Sequence, residues 1–392
     1  MKIDTRLSER LKKINPSSTL LITSKAKKLK SEGRDIINLA AGEPDFDTPE
    51  FIKSAAIEAI KAGFTKYTPT TGIPELKKII CEKLNKDNSL HYSPSQIVVS
   101  CGAKHSIFNT LAVLLKHGDE VLIPSPFWVS YPEIVNFCEA RPVFIKTQAE
   151  HNFKISSKDL EKYITAKTKV FILNSPSNPA GSVYSCDEIK AIAEICVSKK
   201  IFVVSDEIYE KIIFDNLKHV SIASMGQDIY DLTVTINGLS KSYSMTGWRI
   251  GYLAGPQDIV DAVSKLQDHT TSNPASISQK AAVAALEAPE DFIKGMAAEF
   301  QKRRDYCLEK LSKIKKLSFV KPQGAFYIFC NIAKTGLDSL TFANRLLDES
   351  YVSVIPGAAF GRDDYIRISF ATGIKQLEIG FNRIEEWVNK NP

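Results

Sequence analysis

Between residues 97 and 236, short β-branched runs alternate with stretches of helical spacing, and this alternation limits the fold more than any other feature. Ile97-Val98-Val99-Ser100, Val121-Leu122-Ile123, Pro142-Val143-Phe144-Ile145, Val170-Phe171-Ile172-Leu173, Ile201-Phe202-Val203-Val204 and Leu232-Thr233-Val234-Thr235-Ile236 read as buried strands. Asp187 to Lys199 places Ile189, Ile192, Ala193 and Cys196 on one helical face. Gly102 precedes a helical pattern through Ile107, Leu111 and Leu114. Alternation of this kind predicts an α/β fold with a mostly parallel central sheet covered by helices on both faces. The last third changes character. A charged helical run, Phe292 to Leu311, is followed by short strands at Phe326-Tyr327-Ile328-Phe329 and Ile366-Arg367-Ile368-Ser369-Phe370, the pattern of a smaller α+β domain. The expected division is 46–280 for the large domain, with 1–45 and 281–392 forming the small one.

Ligands of open α/β sheets sit beyond the carboxyl ends of the strands. Asn174 and Asn178 follow one predicted strand, Asp206 and Tyr209 another, Ser240 and Lys241 a third, and Gly102 and Lys104 a fourth. They are scattered in sequence but belong to one rim. The net charge of +6 is spread along the chain, without the basic stripe and interleaved aromatics of a nucleic-acid binder, and it suits anionic ligands. The seven cysteines are odd in number and show no CxxC spacing, so neither a disulfide framework nor a metal site is expected. Met1 to Pro16 is charged throughout, and no apolar run approaches a membrane span. These features predict a cytoplasmic enzyme, or the mature part of an organelle enzyme, acting on small molecules without nucleic acid or membrane.

The segment Ser240-Lys241-Ser242-Tyr243-Ser244-Met245-Thr246-Gly247-Trp248-Arg249-Ile250-Gly251 carries the chemistry. A lysine just past a buried strand is shielded from solvent. Desolvation and cationic neighbours lower its pKa and make the amine nucleophilic. Arg249, eight residues on, offers a planar fork to a phosphate. Taken alone, either residue would ordinarily be a solvated surface charge.

This segment resembles the cofactor-lysine motif of fold-type-I aminotransferases, and five further blocks resemble that family in order. They are Asn38 to Phe46, Lys66 to Leu76, Asn174 to Pro179, Ser205 to Tyr209, and Arg367-Ile368-Ser369. The branch most similar is the prokaryotic-type aspartate aminotransferases, which includes aspartate/prephenate aminotransferases. The resemblance implies that the large domain binds pyridoxal 5′-phosphate and that Lys241 is its covalent anchor and proton carrier. Asp206 would pair with the pyridine nitrogen, and Tyr209 and Asn178 with the phenolic oxygen. Trp128 would stack on the ring. Gly102, Ala103, Ser240 and Arg249 would hold the phosphate, joined by Tyr67 from a partner subunit, which makes the active unit a homodimer. Arg367 would clamp the substrate α-carboxylate, with Trp128 and Asn178 beside it, and Gly42 would let backbone approach it without a Cβ.

A dicarboxylate needs a second cation. One branch of the family places an arginine four residues before a Ser-Asn pair; here Asp268 stands four residues before Ser272-Asn273. The prokaryotic branch has a lysine after two glycines, matched by Gly102-Ala103-Lys104 with alanine at the second. Lys104, one turn into the phosphate-cradling helix, is the expected distal anchor. The implied reaction is amino transfer from L-aspartate, or another acidic amino acid, to 2-oxoglutarate. Aspartate/prephenate transamination and a fold-type-I β-lyase are the alternatives within the cofactor class. A cofactor-fold sensor module is the alternative outside it, and the chain has no segment left for a DNA-binding domain.

Overall fold

The computed structural model describes residues 8–16 and 18–391, the side chains of 18–20 excepted. The charged opening Met1 to Leu7 lies outside the described residues. Seven strands form the central sheet: β1 Ile97–Ser100, β2 Glu120–Ser125, β3 Arg141–Lys146, β4 Thr168–Asn174, β5 Phe202–Asp206, β6 Thr233–Gly238 and β7 Gly251–Ala254. Their spatial order is β1-β7-β6-β5-β4-β2-β3, and only β7 runs antiparallel to its neighbours. The six strands expected from sequence are present. β7 was not anticipated, because Gly-Tyr-Leu-Ala contains no β-branched residue and follows the lysine motif directly.

Period-two alternation explains why both faces are covered. Val121, Ile123, Val170 and Ile172 pack in the cluster with Ile107 and Leu111 of helix Ala103–Leu114. Their neighbours Leu122, Phe171 and Leu173 pack oppositely, with Ile189, Ile192 and Cys196 of helix Cys186–Lys199. That helix starts at a capping box: the Ser185 hydroxyl accepts from the Glu188 amide, and the Glu188 carboxylate accepts from the Ser185 amide. The edge strand β3 exposes Arg141, Phe144 and Lys146, the charges discouraging further strand pairing.

The small domain has a four-stranded antiparallel sheet, ordered Ile355–Pro356, Tyr365–Ser369, Tyr327–Asn331, Ser318–Phe319. Helices Asp291–Ser312, Ser339–Ser350 and Ile374–Lys390 supply Phe300, Phe342 and Trp387 to its core. The N-terminal segment joins through Ile37–Asn38, paired in parallel with Val352–Ser353. The expected division at 280/281 falls inside helix Ser276–Glu287. Ala281, Ala282 and Ala285 of that helix pack with Ile52, Ile80 and Val99 of the large domain, so apolar contact holds the whole helix there.

Backbone is packed tightly where helix Ala103–Leu114 meets the sheet. Gly238 and Gly251 are register partners, and a Cβ on Gly251 would lie 2.2 Å from the Ala103 nitrogen and 2.5 Å from the Gly102 carbonyl carbon. No side-chain rotation relieves a clash with backbone. Gly251→Ala is expected to destabilise the fold by about 1–3 kcal/mol or more, read as a lower urea midpoint. An unchanged midpoint would refute the tight-approach argument.

Candidate active site

The carboxyl ends of β4, β5 and β6 bring the predicted polar residues together. Asn174 and Asp206 are register partners, and the Asn174 amide donates to the Asp206 carbonyl at 2.9 Å. The Asn178 N–H donates to Asn174 Oδ1 at 2.9 Å, fixing the loop that carries it. The Asp206 carboxylate is buried. Tyr131 Oη donates to its Oδ2 at 2.6 Å, and the Ile208 amide reaches Oδ1 at 3.3 Å. Burial pushes the Asp206 carboxyl up to about 6, against the Tyr131 hydrogen bond, which lowers it. Lys241, three residues beyond β6, donates from Nζ to the Gly42 carbonyl at 2.6 Å. Burial pulls its ammonium down to about 8; Glu43 opposes the shift, while Arg367 and Arg249 add to it.

The helix N-terminus expected to cradle a phosphate begins at Ala103, with Gly102 as its cap. Gly102's own N–H is committed to Ser100 O at 2.7 Å, so its part differs from the one expected. It supplies a φ of +89° and leaves room for Arg249, whose Nη2 would lie 2.5 Å from a Cβ there. Arg249 itself has a φ of +55°, and it donates from Nη1 to Thr246 O and from Nη2 to Cys101 O. Ser240 is buried, and its carbonyl accepts from the Met245 amide. Lys104 is the second helical residue, in the first turn and not one turn in. Its Nζ lies 5.0 Å from the centre of the Trp128 ring. Partial desolvation, then Arg249, lowers its pKa. Lys104 and Arg249 line a cleft of about 430 Å³ with Ile14, Cys101 and His105.

Arg367 is 5% exposed and has no carboxylate partner among the described residues. Its Nη1 donates to Asn178 Oδ1 at 3.1 Å and its Nη2 to Ala40 O at 3.0 Å, while its Nε–H is buried without a partner. The guanidinium lies 4.2 Å from the Tyr327 ring centre. Asn178 thereby commits its oxygen to Arg367 and keeps its amide nitrogen as a donor. Tyr209 is buried, and its hydroxyl meets that of Tyr327 at 2.9 Å. Burial raises the Tyr209 phenol far above its ordinary value, so it stays protonated. A Cβ on Gly42 would point to Tyr327 Oη at 3.5 Å and Arg367 Nη2 at 4.0 Å, into the space beside the arginine.

Tyr67 does not join these residues. It is 90% exposed and makes no hydrogen bond or ring contact with the described residues. Asp268 ends helix Gln257–Asp268 and is exposed. Two residues of the site went unnoticed in the sequence, Tyr131 and Tyr327. Helical spacing from Trp128 could have flagged the first, and strand pairing with the Arg367 strand the second. Behind Asp206, Glu207 accepts from Ser205, Ser221 and Asn88 and pairs with His219 at 2.9 Å, while Lys83 pairs with Glu210. This buried network braces the loop bearing Asp206 and Tyr209.

The family described as aminotransferase class I and II matches residues 34–384. The aspartate aminotransferase of Bacillus sp. (strain YM-2) is 48% identical over 387 residues, covering 97% of this chain and 99% of that protein. The probable aspartate/prephenate aminotransferase of Aquifex aeolicus is 45% identical over 97% of this chain and 98% of that one. The solved structure of the aspartate aminotransferase from Rhizobium meliloti superposes with a TM-score of 0.95 at 40% identity, covering 99% of this chain and 100% of that one.

A lysine shifted to about 8 is neutral above that pH, where an ordinary lysine is still charged. In the cofactor-free protein, acetylation of Lys241 followed by mass spectrometry should rise with a midpoint near 8, well below the surface lysines. Glu43→Gln should move the midpoint lower still, since the lost carboxylate had favoured the ammonium. A Lys241 midpoint equal to that of the surface lysines would disprove the desolvation argument.

Proposed function

The chain belongs to the aminotransferase class I and II family, and on that footing we propose that it uses pyridoxal 5′-phosphate to transfer the amino group of L-aspartate, or of another acidic amino acid, to 2-oxoglutarate, giving oxaloacetate and L-glutamate. The observation that carries the reading is Arg367, a buried guanidinium whose Nε–H has no partner, and whose charge no carboxylate neutralises, among the described residues. Such a group is costly unless an anion completes it. The α-carboxylate of an amino or oxo acid is that anion.

The donor set fits the cofactor. Lys241, Arg249, Lys104 and Arg367 have no ion-pair partner among the described residues, and Asp206 is the buried acid among them. Lys241 would hold the cofactor covalently, Arg249 with the first-turn amides of Ala103 and Lys104 its phosphate, and Asp206 the pyridine nitrogen. Asn178 and Tyr209 would donate to the phenolic oxygen, and Trp128 would cover the ring. When bound, pyridoxal 5′-phosphate supplies an electron sink for the bonds at the substrate Cα. Lys241, as a free amine, would be the base that takes the substrate Cα proton and returns it. Its lowered pKa suits that task near neutral pH. Asp206 keeps the ring nitrogen protonated. Arg367 orients the substrate, and Gly42 leaves space beside the arginine.

We assign the active unit as a homodimer, with Tyr67 completing the partner's phosphate site. Its exposure on a braced loop supports this: Gln267 donates to Thr70 O and Gln279 to Thr68 Oγ1. Seven unpaired cysteines support a reducing, cytoplasmic setting, and no helix among the described residues is long and apolar enough to cross a membrane. The two proposed units stand as a large domain from 46 and a small one formed by 1–45 with the C-terminal residues, the boundary expected at 280/281 shifting to the end of helix Ser276–Glu287. Prephenate, a dicarboxylate oxo acid, is a second acceptor to test, since relatives at similar identity carry both names.

Lys104 would grip the distal carboxylate. Losing one partner of a buried charge pair costs about 2–5 kcal/mol, so Lys104→Ala should lower kcat/KM for aspartate roughly 30-fold or more. Alanine and phenylalanine should be almost unaffected in a coupled assay with 2-oxoglutarate across amino donors and prephenate. Equal losses for acidic and neutral donors would assign Lys104 to the phosphate instead. For the composite site, mixing inactive Tyr67→Ala and Lys241→Ala proteins should restore part of the activity in hybrid dimers. A fully active monomer in dilute sedimentation runs would refute it.

A further inference from the structure

We propose that Tyr131 is a positioning residue for the reaction, holding the Asp206 carboxylate ionised inside the protein and through it the proton on the pyridine nitrogen. The proposal rests on the reading that Asp206 faces that nitrogen. Tyr131 lies in the first turn of helix Ser130–Phe137, three residues past Trp128, and is 1% exposed. Its ring meets Trp128 edge-on, with centroids 5.2 Å apart and planes at 79°. Phenylalanine would fill the same space. A buried hydroxyl is costly unless bonded, and the Asp206 carboxylate is the only hydrogen-bond partner of this one among the described residues.

The two carboxylate oxygens are treated unequally. Oδ2 takes the 2.6 Å bond from Tyr131, while among the described residues Oδ1 has only the long contact from the Ile208 amide. Oδ1 therefore keeps acceptor capacity for an N–H from a bound ring. A short hydrogen bond to a carboxylate favours its charged form and opposes the burial that favours the neutral acid. The titratable groups facing Asp206 are Tyr131 from this helix, Glu207 and Tyr209 from its own loop, and Lys241 beyond β6. Glu207 disfavours the charge on Asp206, and Lys241 favours it, but Lys241 is the residue whose own protonation changes during reaction. Tyr131 is the donor that stays constant, since burial and the Asp206 charge keep its phenol protonated. Without it, a proton shared between Asp206 and the ring moves toward the carboxylate, and the sink weakens.

The test compares wild type, Tyr131→Phe and the protein with a fluorinated tyrosine at 131, an isosteric and stronger donor. Infrared titration of the cofactor-free, carbon-13 aspartate-labelled protein, with Asp206→Asn identifying the band, gives the Asp206 midpoint. Tyr131→Phe should raise it by about one unit or more, and the fluorinated residue should lower it. In the holoenzyme, nitrogen-15 NMR of labelled cofactor should show a less protonated ring nitrogen in Tyr131→Phe, with kcat down about tenfold and KM little changed. A merely structural tyrosine would lower the melting temperature and leave both the midpoint and the nitrogen signal in place, and that result would overturn the proposal. The isosteric variant keeps the test decisive if Tyr131→Phe folds poorly. A nitrogen signal unmoved by Asp206→Asn would instead overturn the reading beneath the proposal, with the infrared shift still deciding what Tyr131 does to Asp206.

Discussion

A guanidinium buried without a counter-ion among the described residues is the constraint on which the rest of this structure turns. Arg367 is tolerated because its surroundings are arranged for it: the Asn178 and Ala40 oxygens accept two of its N–H groups, and the faces of Tyr327 and Phe360 lie 4.2 and 5.1 Å away. Those partners come from a loop of the large sheet, the N-terminal segment, the small sheet and the turn before Tyr365. No one element can make the cage, so the charge is sheltered only when both domains are assembled. The site consequently sits at their junction, where a ligand carboxylate can complete the arginine and hold the segments together.

Burial acts on the two central titratable groups in opposite directions. It pulls Lys241 down to about 8 and pushes Asp206 up to about 6, so groups that ordinarily titrate far apart come to flank neutral pH. The Tyr131 hydrogen bond opposes the Asp206 shift and favours the ionised carboxylate, and Glu43 opposes the Lys241 shift. Arg249 and Arg367 both lower the Lys241 pKa, and both are groups that a bound phosphate or carboxylate would neutralise. An anion bound at either place would raise the basicity of Lys241.

The sheet was legible because its strands are β-branched runs, and the helix Cys186–Lys199 because Ile189, Ile192, Ala193 and Cys196 repeat at helical spacing and are the residues it buries. β7 was not legible: Gly251 and Ala254 are small for packing reasons that appear only when helix Ala103–Leu114 lies across the sheet. At the site, Lys241, Asp206, Asn178, Arg249 and Arg367 could be named because each stands in a sequence block with a recognisable neighbourhood. Tyr131 and Tyr327 could not, because a buried aromatic is ordinarily core and only its hydroxyl's partner distinguishes it. The exchange of Gly102's amide for Gly102's conformation is likewise a fact of hydrogen-bond geometry, invisible in a Gly-Ala-Lys string.

Tyr67 presents the converse problem, an aromatic placed where water would ordinarily exclude it. Its loop is not loose. Gln267 is wholly buried and donates to both Val99 O and Thr70 O, while Gln279, also buried, donates to Thr68 Oγ1 and accepts from the Ile73 amide. Gly72 adds a φ of +104° where a Cβ would lie 2.5 Å from Val99. Two buried amides with their hydrogen bonds made, and a glycine at a φ that other residues rarely adopt, hold the turn in one conformation. The same Gln267 side chain accepts from Ser100 and Asn109, at the end of β1 and inside the phosphate-side helix. One buried amide thus links the N-terminal part of helix Ala103–Leu114 to the loop bearing the outward-facing Tyr67. In the homodimer proposed above, that link would fix each subunit's helix N-terminus relative to the Tyr67 of the same chain.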